Sequence, residues 1–156
     1  MGEYLVGLIS DTHGTIGRQA LDVLAGCDLV LHAGDVGRSS VLRALRRIAP
    51  VVAVRGNMDK GGWARRLPKT QVAEVGGIRL YVLHDLYQLD LDPAAAGFAA
   101  VINGHTHRPA VVKRNGVLFV NPGSAGPSRY DLPPSVALLE IDEGELSARV
   151  IYLDRE

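Results

Sequence analysis

The chain has 156 residues, with 17 Lys and Arg against 17 Asp and Glu, one Cys and five His. This length predicts a single domain over residues 1–156, and the 47% apolar and 22% charged fractions exclude a disordered chain. A net charge of zero argues against a protein dedicated to long nucleic acid, and no apolar run approaches the ~20 residues of a membrane span. The N-terminus lacks the basic segment of a signal peptide, and the single Cys27 cannot form an internal disulfide, so we expect a cytoplasmic protein.

The first third of the chain alternates short apolar runs with segments of helical periodicity. Gly26 is placed to end the first helix, and Ser39-Ser40 is placed to cap the second. This alternation predicts parallel strands joined by helical crossovers. The predicted elements are the strand Tyr4–Ile9, a helix from Ile16 to Leu24, the strand Leu29–Leu31, the helix Val41–Ala49 and the strand Val51–Val54.

The second half of the chain predicts antiparallel hairpins around turn signals such as Asn115-Gly116. The predicted pairs are Gln71–Val75 with Ile78–Leu83, Ala110–Lys113 with Val117–Val120, and Val136–Ile141 with Leu146–Leu153. One more strand, Ala99–Ile102, lies between the first two pairs, and two loops, Asp59–Lys69 and Gly123–Pro134, stand out. We therefore expect a mixed α/β domain in which two sheets pack together.

Polar residues follow six of the predicted strands at the point where each strand ends. Ligands in open α/β sheets bind outside the carboxyl ends of the strands, so mostly parallel strands would bring these residues to one edge. Each segment alone is typical of a turn or of a buried structural histidine, but that interpretation does not explain their recurrence in order. The segments are Ser10–Gly14, His32–Asp35, Arg55–Asp59, His84-Asp85, Asn103–His107 and Asn121–Ser124.

Seven residues in these segments have side chains suited to a dinuclear metal site. They are Asp11, His13, Asp35, Asn57, His84, His105 and His107. Carboxylate and amide oxygens together with imidazole nitrogens favour Mn²⁺, Fe²⁺, Zn²⁺ or Ni²⁺ over a thiolate-bound metal. Seven ligands are too many for one tetrahedral ion. They suit two ions roughly 3.5–4 Å apart that share a carboxylate, the arrangement used for phosphoryl chemistry.

The motifs Ser-Asp-Thr-His-Gly, Gly-Asp, Gly-Asn-x-Asp, Gly-His-Thr-His and Asn-Pro-Gly-Ser, in this order, resemble the calcineurin-like metallophosphoesterase superfamily. The short chain and the Asn-Pro-Gly-Ser loop are most similar to its small single-domain phosphodiesterase branch. The resemblance extends from Tyr4 to Ile141. It implies an α/β fold of four layers, in which two mixed β-sheets pack as a sandwich flanked by α-helices.

The resemblance also implies a role for each candidate residue. They divide into ligands of a first ion (Asp11, His13, His107), ligands of a second ion (Asn57, His84, His105) and a bridge (Asp35). Asp35, Asn57 and His105 are also expected to act in catalysis, Asn57 by donating its amide N–H to a phosphate oxygen. The expected cofactors are two divalent ions, with Mn²⁺ favoured over Fe²⁺, Zn²⁺, Ni²⁺ and Mg²⁺. The expected reaction is in-line attack of a metal-bridging water or hydroxide on the phosphorus of a small phosphoester.

Two positions depart from the superfamily pattern. Many members have a His directly after the motif Asn, where it can protonate the leaving group, but this chain has Met58, which has no proton to give. Many members also read His-Gly-His where this chain has Asp85 after the first His. Asp59 is interpreted equally well as a turn residue or as a chemical one, and His32 as a core or supporting histidine rather than a ligand.

Three functions stay open at this point. A metal-dependent phosphodiesterase is the leading hypothesis. The same fold serves as a scaffold subunit of the retromer coat, so the alternative is a protein-binding scaffold with a weak or vestigial metal site. A nuclease of the superfamily is the third, although the neutral charge counts against long nucleic acid. The expected partners are a small phosphoester substrate and a second copy of this chain in a homo-oligomer, with no long nucleic acid and no membrane.

Overall fold

The computed structural model describes residues 2–126 and 132–154, so residues 127–131 of the predicted Gly123–Pro134 loop lie outside the described part. Within those ranges the chain forms ten strands, three short α-helices and a 3-10 helix. The strands are β1 (Glu3–Ile9), β2 (Leu29–His32), β3 (Val51–Ala53), β4 (Thr70–Val75), β5 (Ile78–Leu83), β6 (Ala100–Ile102), β7 (Ala110–Arg114), β8 (Val117–Asn121), β9 (Ser135–Asp142) and β10 (Glu145–Tyr152). The helices are α1 (Arg18–Leu24), α2 (Ser39–Arg46), α3 (Gly62–Arg65) and the 3-10 helix Leu86–Gln88.

The strands form two mixed five-stranded sheets. The first has the order β10-β9-β1-β2-β3, in which β1, β2 and β3 are parallel and β9 and β10 are antiparallel. The second has the order β4-β5-β6-β8-β7, in which β5, β6 and β8 are parallel and the edge strands β4 and β7 are antiparallel. The predicted parallel first third and the three predicted hairpins are therefore confirmed.

The alternation of side chains along β1 determines which layer each residue enters. Val6 and Leu8 are fully buried and point into the core between the sheets, where they pack with Leu80 and Ile102 of the second sheet. Residues on the opposite face of β1 meet the layer of α1 and α2. Gly7 belongs to that face, because a β-carbon there would lie 2.6 Å from the Leu24 side chain. The missing side chain thus lets α1 pack closely on the sheet.

The helix boundaries differ from the predictions. The helix predicted over Val41–Ala49 begins earlier, at Ser39, because the chain stays extended up to Arg38. Ser39 accordingly does not cap the helix through its side chain, and its hydroxyl accepts a hydrogen bond from Arg43 instead. The α-helix ends at Arg46, and residues 47–49 continue only as hydrogen-bonded turns. That continuation explains why the apolar periodicity ran on to residue 49.

The second sheet is covered on its outer face by the 3-10 helix and loop residues rather than by an α-helix. A small cluster packs there, with Tyr81, Leu83, Phe98 and Val101 buried within it. The predicted sandwich of two mixed sheets is confirmed, with α-helices outside the first sheet. In the described residues no helix is both long and apolar enough to cross a membrane.

The six polar segments follow the six parallel strands, three in each sheet. Main-chain hydrogen bonds link these ends, such as Asp11 N–H to the Gly34 carbonyl and Gly104 N–H to the His84 carbonyl, each at 2.9 Å. The His105 N–H also donates to the Asp11 carboxylate at 3.0 Å and so joins the first sheet to the second. The polar residues of both sheets therefore meet at one edge of the sandwich, as the sequence predicts.

Candidate metal centre

One oxygen of the Asp11 carboxylate accepts two hydrogen bonds, and the other accepts none. Oδ2 accepts hydrogen bonds from the Ser10 hydroxyl at 2.6 Å and from the His105 N–H at 3.0 Å. Oδ1 is buried and has no hydrogen-bond partner, although Nε2 of His107 lies 3.3 Å away and Nε2 of His13 lies 3.7 Å away. Leaving a buried carboxylate oxygen unpaired is costly. A cation between Oδ1 and these nitrogens would satisfy it.

His84 presents the arrangement typical of a metal-binding imidazole. Its Nδ1 lies 2.7 Å from the Ala33 carbonyl, which can only accept, so Nδ1 carries the proton. Its Nε2 is buried without a hydrogen-bond partner, 3.3 Å from Oδ2 of Asp35 and 3.9 Å from Oδ1 of Asp11. Histidine ligands usually donate the second N–H to a carbonyl in this way, which leaves the other nitrogen free for a metal.

The electrostatics of the metal-free residues point in the same direction. Burial alone would raise the pKa of Asp11, but the nearby rings of His107 and His84 outweigh burial and lower that pKa. Burial likewise opposes ionisation of Asp35, yet the interaction with His84 lowers the pKa of Asp35. Burial would lower the pKa of His84, but the Asp35 and Asp11 carboxylates raise it. The buried carboxylates of Asp11 and Asp35 are thus stabilised by nearby positive charge. A divalent ion would provide more positive charge than one proton on His84.

Two groups of side chains bring their ligand atoms within 4.8 Å of one another: Asp11 with His13 and His107, and Asp11 with Asp35 and His84. The first group is the trio predicted for the first ion. Asp11, rather than Asp35, is the residue common to both groups. Asp35 contributes Oδ2 to the second group, while its Oδ1 accepts the Met58 N–H at 2.8 Å. The bridging role of Asp35 stays a prediction.

Asn57 and His105 lie beside these groups rather than within them. The His105 ring packs edge-on against His84, with ring centroids 5.1 Å apart, and its Nε2 lies 3.9 Å from Asp85. Asn57 is exposed and lines a cavity together with His84. Their assignment to a second ion also stays a prediction.

Left-handed backbone conformation is concentrated at the candidate ligands. Among the described residues, seven non-glycine positions have φ between +50° and +72°. Two of them, Asn115 and Glu143, lie in hairpin turns. The other five are all candidate ligands: Asp11, His13, Asp35, His105 and His107. Such a conformation costs on the order of 1–3 kcal/mol per residue, so the surrounding contacts must impose it, and strain of this kind clusters at functional sites.

His32 is buried and hydrogen-bonds to the loops that carry the candidate ligands, and it is not a ligand itself. Its Nδ1 accepts the Gly34 N–H at 3.1 Å, so its Nε2 carries the proton and donates to the Thr12 hydroxyl at 3.0 Å. The Thr12 hydroxyl in turn donates to the Val36 carbonyl at 2.8 Å. Burial lowers the pKa of His32 to about 4, which keeps the ring neutral. The supporting role predicted for His32 is confirmed.

Asp59 has a structural role in the described site. Its carboxylate accepts the main-chain N–H groups of Val36, Gly37 and Gly56 at 2.9–3.2 Å. It thereby ties the loop after β2 to the loop after β3. With its oxygens committed to three donors, Asp59 replaces neither a metal ligand nor the missing histidine at position 58.

Sequence reasoning gave no separate role to several polar residues that position the ligands. Ser10 holds Asp11 as described, and the Ser124 hydroxyl donates to the Asp11 carbonyl at 2.8 Å. The Asn121 amide donates to the Gly104 carbonyl at 3.0 Å and the Thr106 hydroxyl at 3.1 Å. Their signal was present in the sequence, because each is a small polar residue at a strand end or in the loop that follows it.

Two cavities adjoin the ligand groups, and Asp85 lines both. One, of about 540 Å³, is also lined by Asn57, His84, Arg55 and Lys69. The other, of about 520 Å³, is lined by Gly104 and Thr106, which flank His105, and by Phe119, Val112 and Leu86. The candidate ligands Asn57 and His84 therefore line a space large enough for an organic group, and Asp85 also lines a second such space.

Comparison with known proteins identifies the family and the fold of this chain. The profile described as the calcineurin-like phosphoesterase superfamily domain matches residues 4–144. A probable metallophosphoesterase of Methanothermobacter thermautotrophicus is 33% identical over 159 aligned positions, covering 94% of this chain and 91% of that protein. Among solved structures, an archaeal phosphodiesterase superposes with a TM-score of 0.80 at 23% identity, covering 96% of this chain and 99% of the other. A single mutant of Vps29 from Entamoeba histolytica gives a TM-score of 0.74 at 25% identity, with coverages of 96% and 99%. The family match and the archaeal relative together place the chain in the calcineurin-like phosphoesterase superfamily, of which it is a member.

Proposed function

We propose that this protein is a phosphoesterase that depends on divalent metal ions and acts on phosphodiesters. The observation that carries the proposal is the set of buried donor atoms without partners, Oδ1 of Asp11 and Nε2 of His84, within two groups of ligand atoms. In a protein that binds no cation, such atoms would either be hydrogen-bonded to donors when buried or stay exposed to solvent. Membership of a superfamily of phosphoesterases supplies the reaction class.

In this proposal each ligand group has a defined task. Asp11, His13 and His107 would hold one ion, and Asp35 and His84 would hold the second, with Asn57 and His105 completing it. Two bound divalent ions supply a nucleophilic water of lowered pKa and neutralise the phosphoryl oxygens. The Ser10 hydroxyl and the His105 N–H keep Oδ2 of Asp11 occupied, so that Oδ1 faces the ligand nitrogens. Mn²⁺ is the ion we expect among the several divalent ions that suit this oxygen and nitrogen donor set.

The substrate would be a small phosphoester bound in the cavities beside the ligand groups. Asn57 lines the larger cavity next to His84 and can donate its amide N–H to a phosphate oxygen. Arg55 and Lys69 line the same cavity, and no ion pair is found for either in the described part of the chain. Their positive charge favours an anionic substrate. Met58 gives no proton to the leaving group, so we expect activity to depend strongly on the leaving group's own acidity.

The test is hydrolysis by the Mn²⁺-loaded protein of an aryl phosphodiester, bis(4-nitrophenyl) phosphate, and an aryl monoester, 4-nitrophenyl phosphate. We expect turnover of the diester, and a loss of at least about 10³-fold in kcat for Asp35→Asn, because an amide neither neutralises nor bridges cations as a carboxylate does. Glu74→Gln makes the same change of charge and size on the exposed part of β4 and is the matched control. Wild-type rates no higher than those of Asp35→Asn on both esters would refute the proposal.

A second candidate function is a protein-binding scaffold, which the shared fold with Vps29 favours only weakly. This function requires no metal, and a scaffold could lose any of the seven candidate ligands without consequence. All seven are present in this chain. Titration with Mn²⁺ discriminates the two, because an enzyme would bind the ion at micromolar concentration and a scaffold need not. A cytoplasmic location and self-association remain predictions of the sequence.

A further inference from the structure

One acidic side chain at the candidate centre is not used by the ligand groups. Asp85 directly follows His84, and it lines both cavities. Its side chain is 27% exposed, whereas that of Asp11 is fully buried and that of Asp35 is 4% exposed. Its Oδ1 accepts the Tyr87 N–H at 3.1 Å, and its Oδ2 lies 3.9 Å from Nε2 of His105. A negative charge therefore stands at the junction of the two spaces where a substrate would lie.

We propose that Asp85 is a specificity-determining residue that makes the site select phosphodiesters over phosphomonoesters. This inference rests on the proposed function and names the substrate class more narrowly. Near neutral pH a monoester phosphate carries a charge of about −1.5 to −2, because its second pKa is about 6, whereas a diester has no second acidic proton and carries −1. The Asp85 carboxylate repels the additional charge of the monoester. For an additional half to one unit charge about 8 Å away near a protein surface, this repulsion corresponds to a change in binding of roughly five- to thirtyfold.

The shape of the site favours the same substrate class. A phosphodiester carries two organic groups on one phosphorus, and the two cavities that share Asp85 in their lining, of about 540 and 520 Å³, would give each group its own space. A monoester would fill one of them and leave the other to water. The larger cavity presents Arg55, Lys69 and Gln88 to one organic group, and the smaller presents the apolar Phe119 and Val112 to the other. Charge and shape at Asp85 thus act together.

Asp85→Asn tests the charge without disturbing the loop, since the amide oxygen can still accept the Tyr87 N–H. For the Mn²⁺-loaded variant we expect the ratio of kcat/KM for diester over monoester to fall roughly five- to thirtyfold, because monoester hydrolysis gains more than diester hydrolysis when the charge is removed. Asp85→Glu keeps the charge and should retain the wild-type ratio. Glu74→Gln removes the same charge from a residue that lines neither cavity, and its ratio should stay within about twofold of wild type. An unchanged ratio in Asp85→Asn would overturn the inference while leaving the proposed function intact.

A binding measurement separates the inference from catalysis. At pH 8, calorimetry compares inorganic phosphate, mostly a dianion, with dimethyl phosphate, a monoanion, on the Mn²⁺-loaded protein. We expect Asp85→Asn to bind both anions more tightly, with a gain for inorganic phosphate that exceeds the gain for dimethyl phosphate roughly five- to thirtyfold, because the repulsion grows with the charge of the anion. An equal gain for both anions, or fewer Mn²⁺ ions bound per chain in Asp85→Asn, would overturn the inference, the latter because Asp85 would then be a metal ligand. If the wild-type protein hydrolyses neither ester, the proposed function fails, and this comparison still decides the role of Asp85.

Discussion

Gly104 makes room for the carboxylate of Asp11. A β-carbon at position 104 would lie 2.6 Å from Oδ2 of Asp11 and closer still to the Ser10 hydroxyl, which are the two atoms that form the 2.6 Å hydrogen bond described above. Both residues are fully buried, so neither can turn aside. The glycine of the Gly-His-Thr-His motif is thus required by the close approach of the two sheets. It is not required by an unusual φ, since Gly104 does not have the left-handed conformation of His105 and His107.

Gly104→Ala should therefore damage the metal centre. We expect the free energy of unfolding to fall by roughly 1–3 kcal/mol, the usual effect of overpacking, and Mn²⁺ affinity to fall at least about tenfold because Asp11 is displaced. Urea unfolding and calorimetric titration measure the two effects. Gly62→Ala is the matched control, because nothing lies within 4 Å of a β-carbon there and the residue belongs to α3. Full Mn²⁺ affinity in Gly104→Ala would show that Asp11 tolerates the displacement.

Mn²⁺ should stabilise the protein against heat. An ion that binds only the folded state at 100 times its Kd adds about 2.7 kcal/mol, which for a chain of this size raises the Tm by roughly 5–10 °C. Asp11 belongs to both ligand groups, so Asp11→Asn should abolish most of this rise. Asp22→Asn, on the exposed side of α1, should preserve it. Thermal scans with Mn²⁺ and with a chelator make the comparison, and an equal rise in wild type and Asp11→Asn would exclude Asp11 as a ligand.

His32 predicts a specific pH dependence of stability. Its pKa is about 4 in the folded protein, against an ordinary value of 6.5. Between pH 4 and pH 6.5, His32 is therefore protonated in the unfolded chain and neutral in the folded protein. The free energy of unfolding therefore falls as the pH falls below 6.5, by up to about 1.4 kcal/mol per pH unit from this residue. Above pH 7 both states are neutral and the effect vanishes.

Urea unfolding of the metal-free protein at pH 7.5 and pH 5.0 measures this effect. Between the two pH values the wild type should lose about 2 kcal/mol more than His32→Asn, which keeps an acceptor for the Gly34 N–H. The raised pKa of His84 contributes stability below pH 6.5 that is lost as the pH rises through that pKa. This contribution is present in both proteins and cancels in the comparison. Parallel pH profiles in the two proteins would contradict a neutral, buried His32.

Met58 should limit the range of leaving groups. Its side chain is 57% exposed beside Asn57 and has no proton to donate. Met58→His should raise kcat for diphenyl phosphate by at least about tenfold, toward the 10²-fold that positioned acids contribute, with little effect on the nitrophenyl diester. Met58→Leu controls for loss of the thioether. An equal gain on both esters, or none on the phenyl ester, would contradict a role for position 58 in protonating the leaving group.

Local patterns predicted most of the fold because each strand carries its own signal. The apolar runs located the strands, and the turn signals at Gly76-Gly77 and Asn115-Gly116 located two of the hairpins. The outer cover of the second sheet was not predicted, since the segment from Leu86 to Phe98 has no helical periodicity and packs as a 3-10 helix and loop. Helix ends were also misplaced by a few residues, because the extended conformation of Arg38 depends on tertiary contacts.

The residues of the candidate centre were predictable, but their geometry was not. Asp11 and His107 were named from motifs at strand ends, which is a local property. That Asp11 belongs to both ligand groups depends on Ser124, which is 113 positions away and holds its main chain. The left-handed backbone of five candidate ligands has no signal of its own either, since Asp and His enter that conformation only when surrounding contacts require it.

The meeting of the two sheets at Asp11 has a consequence for the domain as a whole. His13 and His107 lie 94 positions apart and in the loops of different sheets, with their Nε2 atoms 3.3 Å from each other. An ion bound by these two histidines and Asp11 would link residues 94 positions apart in the chain, much as a disulfide does. No disulfide can serve this purpose within the chain, because its one cysteine, Cys27, is buried and unpaired. The metal would then act as the cross-link of this sandwich, so that neither sheet could open without releasing the ion.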